Sequence, residues 1–134
     1  MNDNEISVSI GQVAYTTTIT HGKNTLIADE PEEVGGKDKG FNPASLLLSS
    51  LGSCKAMTVR MYSDRKKWDL EEVNIKLSYE ILKSELQQTT YIKCHISFKG
   101  ELDEAQKAKL FEIADKCPIH KLLTNPIVIS SNLI

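Results

Sequence analysis

From residue 43 to about residue 67 the chain carries a helical pattern, and that segment sets terms for the rest of the fold. Asn42 suits the N-cap, where its side-chain oxygen accepts from an orphan N–H; Pro43 suits the first turn, where its missing N–H removes nothing. Leu47, Leu51, Cys54, Thr58 and Met61 follow at steps of four, three, four and three, which puts them on one face. Leu46, Leu48, Met57 and Val59 widen the apolar surface over most of the circumference. A helix with so little polar surface needs protein on several sides, so it is expected at the centre of the fold. The basic run Arg65-Lys66-Lys67 fits its C-terminal end, where cations meet the negative end of the helix dipole.

The flanking segments read as antiparallel sheets. In "EISVSI", Ile6, Val8 and Ile10 share a face; "AYTTTIT" is rich in strand formers; "HGKN" is a hairpin turn with Gly22 available for positive φ; "TLIAD" returns. Residues 30–42, "EPEEVGGKDKGFN", form a polar loop with three glycines, and long loops are often functional or mobile. Residues 71–83 and 89–99 both alternate, with Val73, Ile75, Leu77, Tyr79 and Ile81 facing one way in the first and Ile92, Cys94, Ile96 and Phe98 inward in the second. The polar "SELQQ" joins them as a hairpin. Asp103 and Gln106 are spaced for a capping box on a second helix, whose expected buried face is Ala105, Ala108, Phe111, Ile113 and Ala114. Pro118 breaks it, "IHKLLTN" is short and helical or irregular, and "PIVIS" is expected as a final strand. This order predicts an α+β fold in a single domain spanning residues 1–134.

Composition narrows the function. A chain of 134 residues buries roughly two-thirds of its unfolded surface, enough for a core without staples. With 16 basic and 18 acidic side chains the net charge is -2, which makes no electrostatic case for nucleic acid or an anionic membrane surface. No stretch reaches the ~18 apolar residues of a membrane span. The polar start "MNDNEISVSI" does not read as a signal peptide, so the expected compartment is the cytoplasm. There a cysteine pair is more often catalytic, redox-active or metal-binding than a static crosslink.

The chain has three cysteines. Cys94, between Ile92 and Ile96 on an alternating strand, reads as a small core hydrophobe, and its neighbour His95 as an exposed surface residue. Cys54 lies on the apolar stripe of the central helix, where packing and function weigh about evenly. Ser50, Ser53 and Thr58 bring hydroxyls near it. Gly52 costs about 0.8–1 kcal/mol relative to Ala inside a helix, so something is expected to pack against its backbone. Cys117 directly precedes Pro118. It either caps the end of the preceding helix or sits at the N-cap of a new turn, where N–H groups and His120 would favour a thiolate. "CPIH" is also a C-x-x-H pair, but no second paired motif accompanies it, and no metal or other cofactor is expected. No G-x-S-x-G or P-loop spacing occurs.

"GFNPASLLLSSLGSCKAMTVRMY" resembles the central helix of the OsmC/Ohr family, the osmotically inducible and organic-hydroperoxide-resistance proteins. The resemblance lies in Asn42-Pro43 with Cys54 twelve residues after the Asn, in "CPI" at 117–119 after a helix, and in the order of elements over nearly the whole chain. It implies an OsmC-like fold with a long central helix and an intertwined homodimer. It also implies thiol-dependent peroxidase chemistry on an organic hydroperoxide, with Cys54 as peroxidatic thiolate, Cys117 as resolving thiol, and a dithiol or redoxin as reductant. Leu47, Leu51, Met57 and Met61 would supply an apolar lining.

The chain departs from the family pattern in two places. Active members pair the reactive cysteine with an N-terminal arginine and a glutamate just after the N-P; here no arginine precedes Arg60, and Ala44 and Ser45 follow Pro43. Lysine is a poorer holder of thiolate and peroxide than arginine's fixed fork. Arg60, six residues on from Cys54, lies on another face and would reach it only from a dimer partner. The rival expectation is a non-catalytic member that binds a small apolar ligand in the same pocket.

Overall fold

The computed structural model describes residues 5–134; the polar start Met1–Asn4 lies outside the described residues. The chain divides into two compact units, Met1–Leu47 and Leu48–Ile134.

In the first unit three strands, β1 (Ser7–Ile10), β2 (Thr17–His21) and β3 (Asn24–Ala28), form an antiparallel meander in that order. His21 pairs with Asn24, so Gly22 and Lys23 close the hairpin, and Gly22 takes the positive φ of 59° expected of it. Val8 pairs with Ile19 and Ile19 with Leu26 across the sheet. The face carrying Ile6, Val8 and Ile10 stays exposed.

The polar loop after β3 is held closely rather than loose. Asp29, only 2% exposed, accepts at Oδ1 from the N–H groups of Glu30 (2.8 Å), Tyr15 (3.3 Å) and Lys37 (3.4 Å). Its Oδ2 accepts from Thr16 Oγ1 and the Lys39 N–H, both at 3.2 Å. Burial works against the charge, but the N–H groups of Glu30, Lys39 and Lys37 and the Thr16 hydroxyl outweigh it and hold the carboxyl below its ordinary value. A 3-10 turn, Glu32–Val34, fills part of the loop. At Gly40 a Cβ would run into the Ile27 carbonyl, so this close approach admits only glycine.

Helix α1 (Pro43–Lys66) begins as predicted: Asn42 Oδ1 accepts from the Ser45 N–H at 2.9 Å. It ends where Lys67 turns to a φ of 58°, with Arg65 and Lys66 in its last turn, each over the Tyr62 ring.

In the second unit β4 (Glu72–Lys83) and β5 (Gln88–Lys99) form the expected hairpin, with Leu77 opposite Cys94 and Ile75 opposite Ile96. Helix α2 (Glu104–Ala114) carries the predicted capping box of Asp103 and Gln106. Helix α3 (Pro118–Leu123) starts at the predicted break. Val59, Leu70, Leu110 and Ala114 form the core, with Tyr62, Trp68, Val73 and Phe98 among the side chains packed on it.

Three expectations are corrected. The buried stripe of α1 runs through Leu51, Lys55, Val59 and Ser63, while Leu47, Met57 and Met61 are about half exposed or more, at 49%, 59% and 65%. Steps of four hold one face nearly in line, and the sheet and α2 select that line. On α2 the buried residues are Leu110, Ile113 and Ala114, whereas Phe111 is 57% exposed and Ala105 and Ala108 are exposed too. "PIVIS" forms no strand: among the described residues, 126–134 pair with no strand and leave Ile127, Val128 and Ile129 exposed. Alternation alone does not pair a backbone.

Candidate functional site

Two sulfurs anchor the site. Cys117 follows the end of α2 and has extended backbone, φ -72° and ψ 143°, as the N-cap of α3. Pro118 occupies the first helical position, where its fixed φ suits the turn. The Cys117 sulfur accepts from the His120 N–H at 3.2 Å and is wholly buried, at 0% exposure. Cys54, on α1, is half-buried, and its thiol lies near enough to Cys117 to push that thiol's pKa up. All three cysteines are free thiols.

The expected lowering of the Cys117 pKa does not hold. Burial pushes this thiol up, the Cys54 thiol beside it adds to the rise, and the His120 N–H and the Lys55 charge only partly oppose it. The N-cap position predicted from Pro118 is present, but a six-residue helix in a dry setting does not outweigh desolvation.

Lys55 carries no motif that marks it in the sequence. It is 2% exposed. Its Nζ lies 2.9 Å from His120 Nδ1, 3.0 Å from Asp115 Oδ1 and 3.2 Å from the Ala114 carbonyl oxygen. An ammonium has three protons and no acceptor, so each donor has one partner. With the ammonium as donor, His120 Nδ1 is the acceptor of that contact. The signal available in sequence was spacing: Lys55 is four residues after Leu51 and four before Val59.

A cavity of about 340 Å³ opens beside this cluster. Its walls are Leu51 from α1, Ile92, Cys94 and Ile96 from β5, Phe111 from α2 and Leu123 from α3, with Lys55, Asp115 and His120 as a polar end. Cys94 is half-buried on the inward face of β5, as its alternation predicts, and it also forms part of the cavity wall. Burial raises its pKa; Lys55 opposes the rise and Asp115 adds to it. Of the expected apolar lining only Leu51 borders this cavity.

Arg60 bonds Asp64 at 3.3 Å along the helix surface. His95 is exposed, as predicted. Among the described residues no three His, Cys, Asp or Glu side chains gather as a metal site, and no helix is long and apolar enough to cross a membrane.

The family model for OsmC-like proteins matches residues 36–132. The chain belongs to the OsmC family. Its fold agrees with solved structures of OsmC and Ohr proteins, mixed α and β with antiparallel sheets. An OsmC-like protein from Mycoplasma pneumoniae superposes with a TM-score of 0.76 at 19% identity, over 92% of this chain and 89% of that one. An organic hydroperoxide resistance protein, OsmC, from Legionella pneumophila gives 0.66 at 20% identity, over 90% and 88%. The organic hydroperoxide resistance protein OhrB of Bacillus subtilis gives 0.62 at 17% identity, over 90% and 89%. At these identities the likeness is one of fold. No curated protein matches the sequence.

Proposed function

We propose that this OsmC family member is a thiol-dependent peroxidase that reduces organic hydroperoxides through Cys54 and Cys117. The observation that carries the reading is the pairing of a half-buried cysteine, Cys54, with a wholly buried one, Cys117. Cys54, the less buried of the two, is the one that meets the peroxide in this reading. Its thiolate attacks the terminal peroxide oxygen; the O–O bond breaks, the alkoxide takes a proton and leaves as the alcohol, and Cys54 becomes a sulfenic acid. Cys117 then attacks that sulfur, the hydroxyl leaves as water with the Cys117 proton, and a disulfide forms. An external dithiol or redoxin reduces the disulfide by exchange and is itself oxidised.

We take the working unit to be a homodimer. The exposed apolar residues Leu47, Met57 and Met61 along α1 support this, since so much apolar helix surface calls for cover. A monomer mass by light scattering would remove that part of the reading. The cytoplasm suits a chain whose three cysteines are free thiols.

The test is intact mass with peptide mapping before and after one equivalent of cumene hydroperoxide. The expected result is loss of two hydrogens, localised to Cys54 and Cys117, within seconds. Both thiols still free after minutes would overturn the peroxidase reading. The second reading, binding of a small apolar ligand without catalysis, is favoured by the largely apolar cavity wall. It predicts saturable uptake of an apolar fluorophore by protein whose thiols ignore the peroxide.

A further inference from the structure

We infer that Lys55 is a positioning residue for the Cys117 thiol: from α1 it ties together the residues on both sides of Cys117 and fixes the histidine whose N–H holds the sulfur. The inference deepens the proposed function and rests on Cys117 being the resolving thiol.

A lysine at 2% exposure is costly to bury unless every donor is matched. Here the matches are the Ala114 carbonyl, the Asp115 carboxylate and His120 Nδ1. Two precede Cys117 and one follows it, so a single side chain spans the turn that presents the sulfur. No donor remains for a ligand, which directs the role of Lys55 toward its neighbours. His120 is bound at both ends, its ring to Lys55 and its N–H to Cys117 Sγ at 3.2 Å. The next residue back along α1 is Cys54, so adjacent positions supply the partner sulfur and the cation.

The groups that act on Cys117 are few. Cys54 and Lys55 come from α1 and His120 from α3. Asp115 precedes it, and Cys94 on β5 lines the cavity that Lys55, Asp115 and His120 also border. To attack the oxidised Cys54 sulfur, Cys117 must lose its proton in a site where burial resists the charge. The fixed ammonium, partly offset by Asp115, is the positive charge that opposes this resistance.

The experiment uses the Cys54→Ser/Cys94→Ser chain, in which Cys117 is the sole thiol, and follows thiolate ultraviolet absorbance as pH rises. Adding Lys55→Met should move the midpoint up by about one pH unit, a tenfold change in proton affinity. Lys55→Arg should return it most of the way. Asp115→Asn should move it down, because the ammonium is then less neutralised. Coincident midpoints for the parent and Lys55→Met would overturn the inference. If Lys55→Met loses its circular dichroism, Asp115→Asn decides: that carboxylate is 63% exposed, and a midpoint that stays or rises would overturn it. This titration needs no peroxide. A chain inert to cumene hydroperoxide that still shows the shifts would sink the peroxidase reading and the resolving role of Cys117 with it, and would leave Lys55 only as the residue that sets the proton affinity of that thiol.

Discussion

Nζ of Lys55 lies 2.9 Å from Nδ1 of His120, and the backbone N–H of that histidine meets Sγ of Cys117 at 3.2 Å. One buried side chain of α1 is thus linked through one residue to the more buried of two neighbouring thiols. Helix α1 supplies Cys54 and Lys55, while the corner between α2 and α3 supplies Asp115, Cys117 and His120. The pair of sulfurs is therefore set by tertiary packing of two elements distant in sequence.

The two sulfurs have different duties in the proposed reaction, so their variants should fail differently. Cys54→Ser should lose hydroperoxide consumption by at least about a hundredfold, as removal of a nucleophile does. Cys117→Ser should consume about one equivalent in its fast phase without turning over, leaving a Cys54 sulfenic acid that dimedone traps and that excess peroxide oxidises onward at the cost of further equivalents. Mass spectrometry after dimedone treatment separates the cases. Full turnover by Cys117→Ser with a dithiol present would show that Cys117 does not resolve the intermediate.

Burial of Cys117 carries a second consequence, for stability in alkali. Its thiol is held above its ordinary value of 9.0, first by burial and then by the Cys54 thiol. The folded state therefore binds that proton more tightly than the unfolded state. The stabilisation is whole below the unfolded pKa and is lost as pH rises through the folded one. Under reducing conditions the urea midpoint should fall as pH passes above 9.0, and Cys117→Ala should fall less steeply. Parallel curves for the two proteins would show that this thiol ionises alike in both states.

Asp29 has the opposite sign. Burial opposes its charge, yet the N–H groups of Glu30, Lys39 and Lys37 and the Thr16 hydroxyl hold its pKa below the ordinary 3.8. Stability is present above the unfolded value and lost as pH falls through the folded one. On acidification the wild-type midpoint should drop more steeply than that of Asp29→Asn. At neutral pH the same variant should free the Lys37 and Lys39 amides, and trypsin should cut after those lysines roughly tenfold faster. Unchanged cleavage would mean that the loop is held by its backbone bonds alone, such as the Asp29 N–H to the Phe41 carbonyl at 3.1 Å.

What sequence reveals here follows the range of the interaction. Asn42, the Asp103–Gln106 box, Gly22 and the Cys117–Pro118 break are settled within a few residues, and each behaves as its local chemistry predicts. The buried line of α1 depends on what packs against it, and a lysine on that line reads as a solvated charge until its partners, 59 to 65 residues away, are in place. The spacing of α2 does not distinguish Leu110 from Phe111 for the same reason: both are apolar and adjacent, and only the core decides between them. The tail at 126–134 alternates like a strand, but pairing belongs to a neighbour and not to the segment.

Gly52 shows a long-range contact that did leave a local trace. A Cβ there would stand 2.7 Å from Cδ1 of Leu77 on β4, which explains glycine in a helix interior. The obstacle is the far end of a flexible side chain. Gly52→Ala should gain about 0.8–1 kcal/mol of helix propensity and lose about 0.5–1.5 kcal/mol as Leu77 leaves its rotamer, for a net change within about 1 kcal/mol. In the Leu77→Ala background the obstacle is gone, and the same substitution should stabilise by about 1 kcal/mol. Gly52→Val adds two methyl groups beyond the alanine Cβ and should destabilise in either background, by about 1–3 kcal/mol where Leu77 remains. Urea unfolding of the four members of the alanine cycle gives the coupling directly. An equal effect of Gly52→Ala in both backgrounds would mean that Leu77 is not the reason for the glycine.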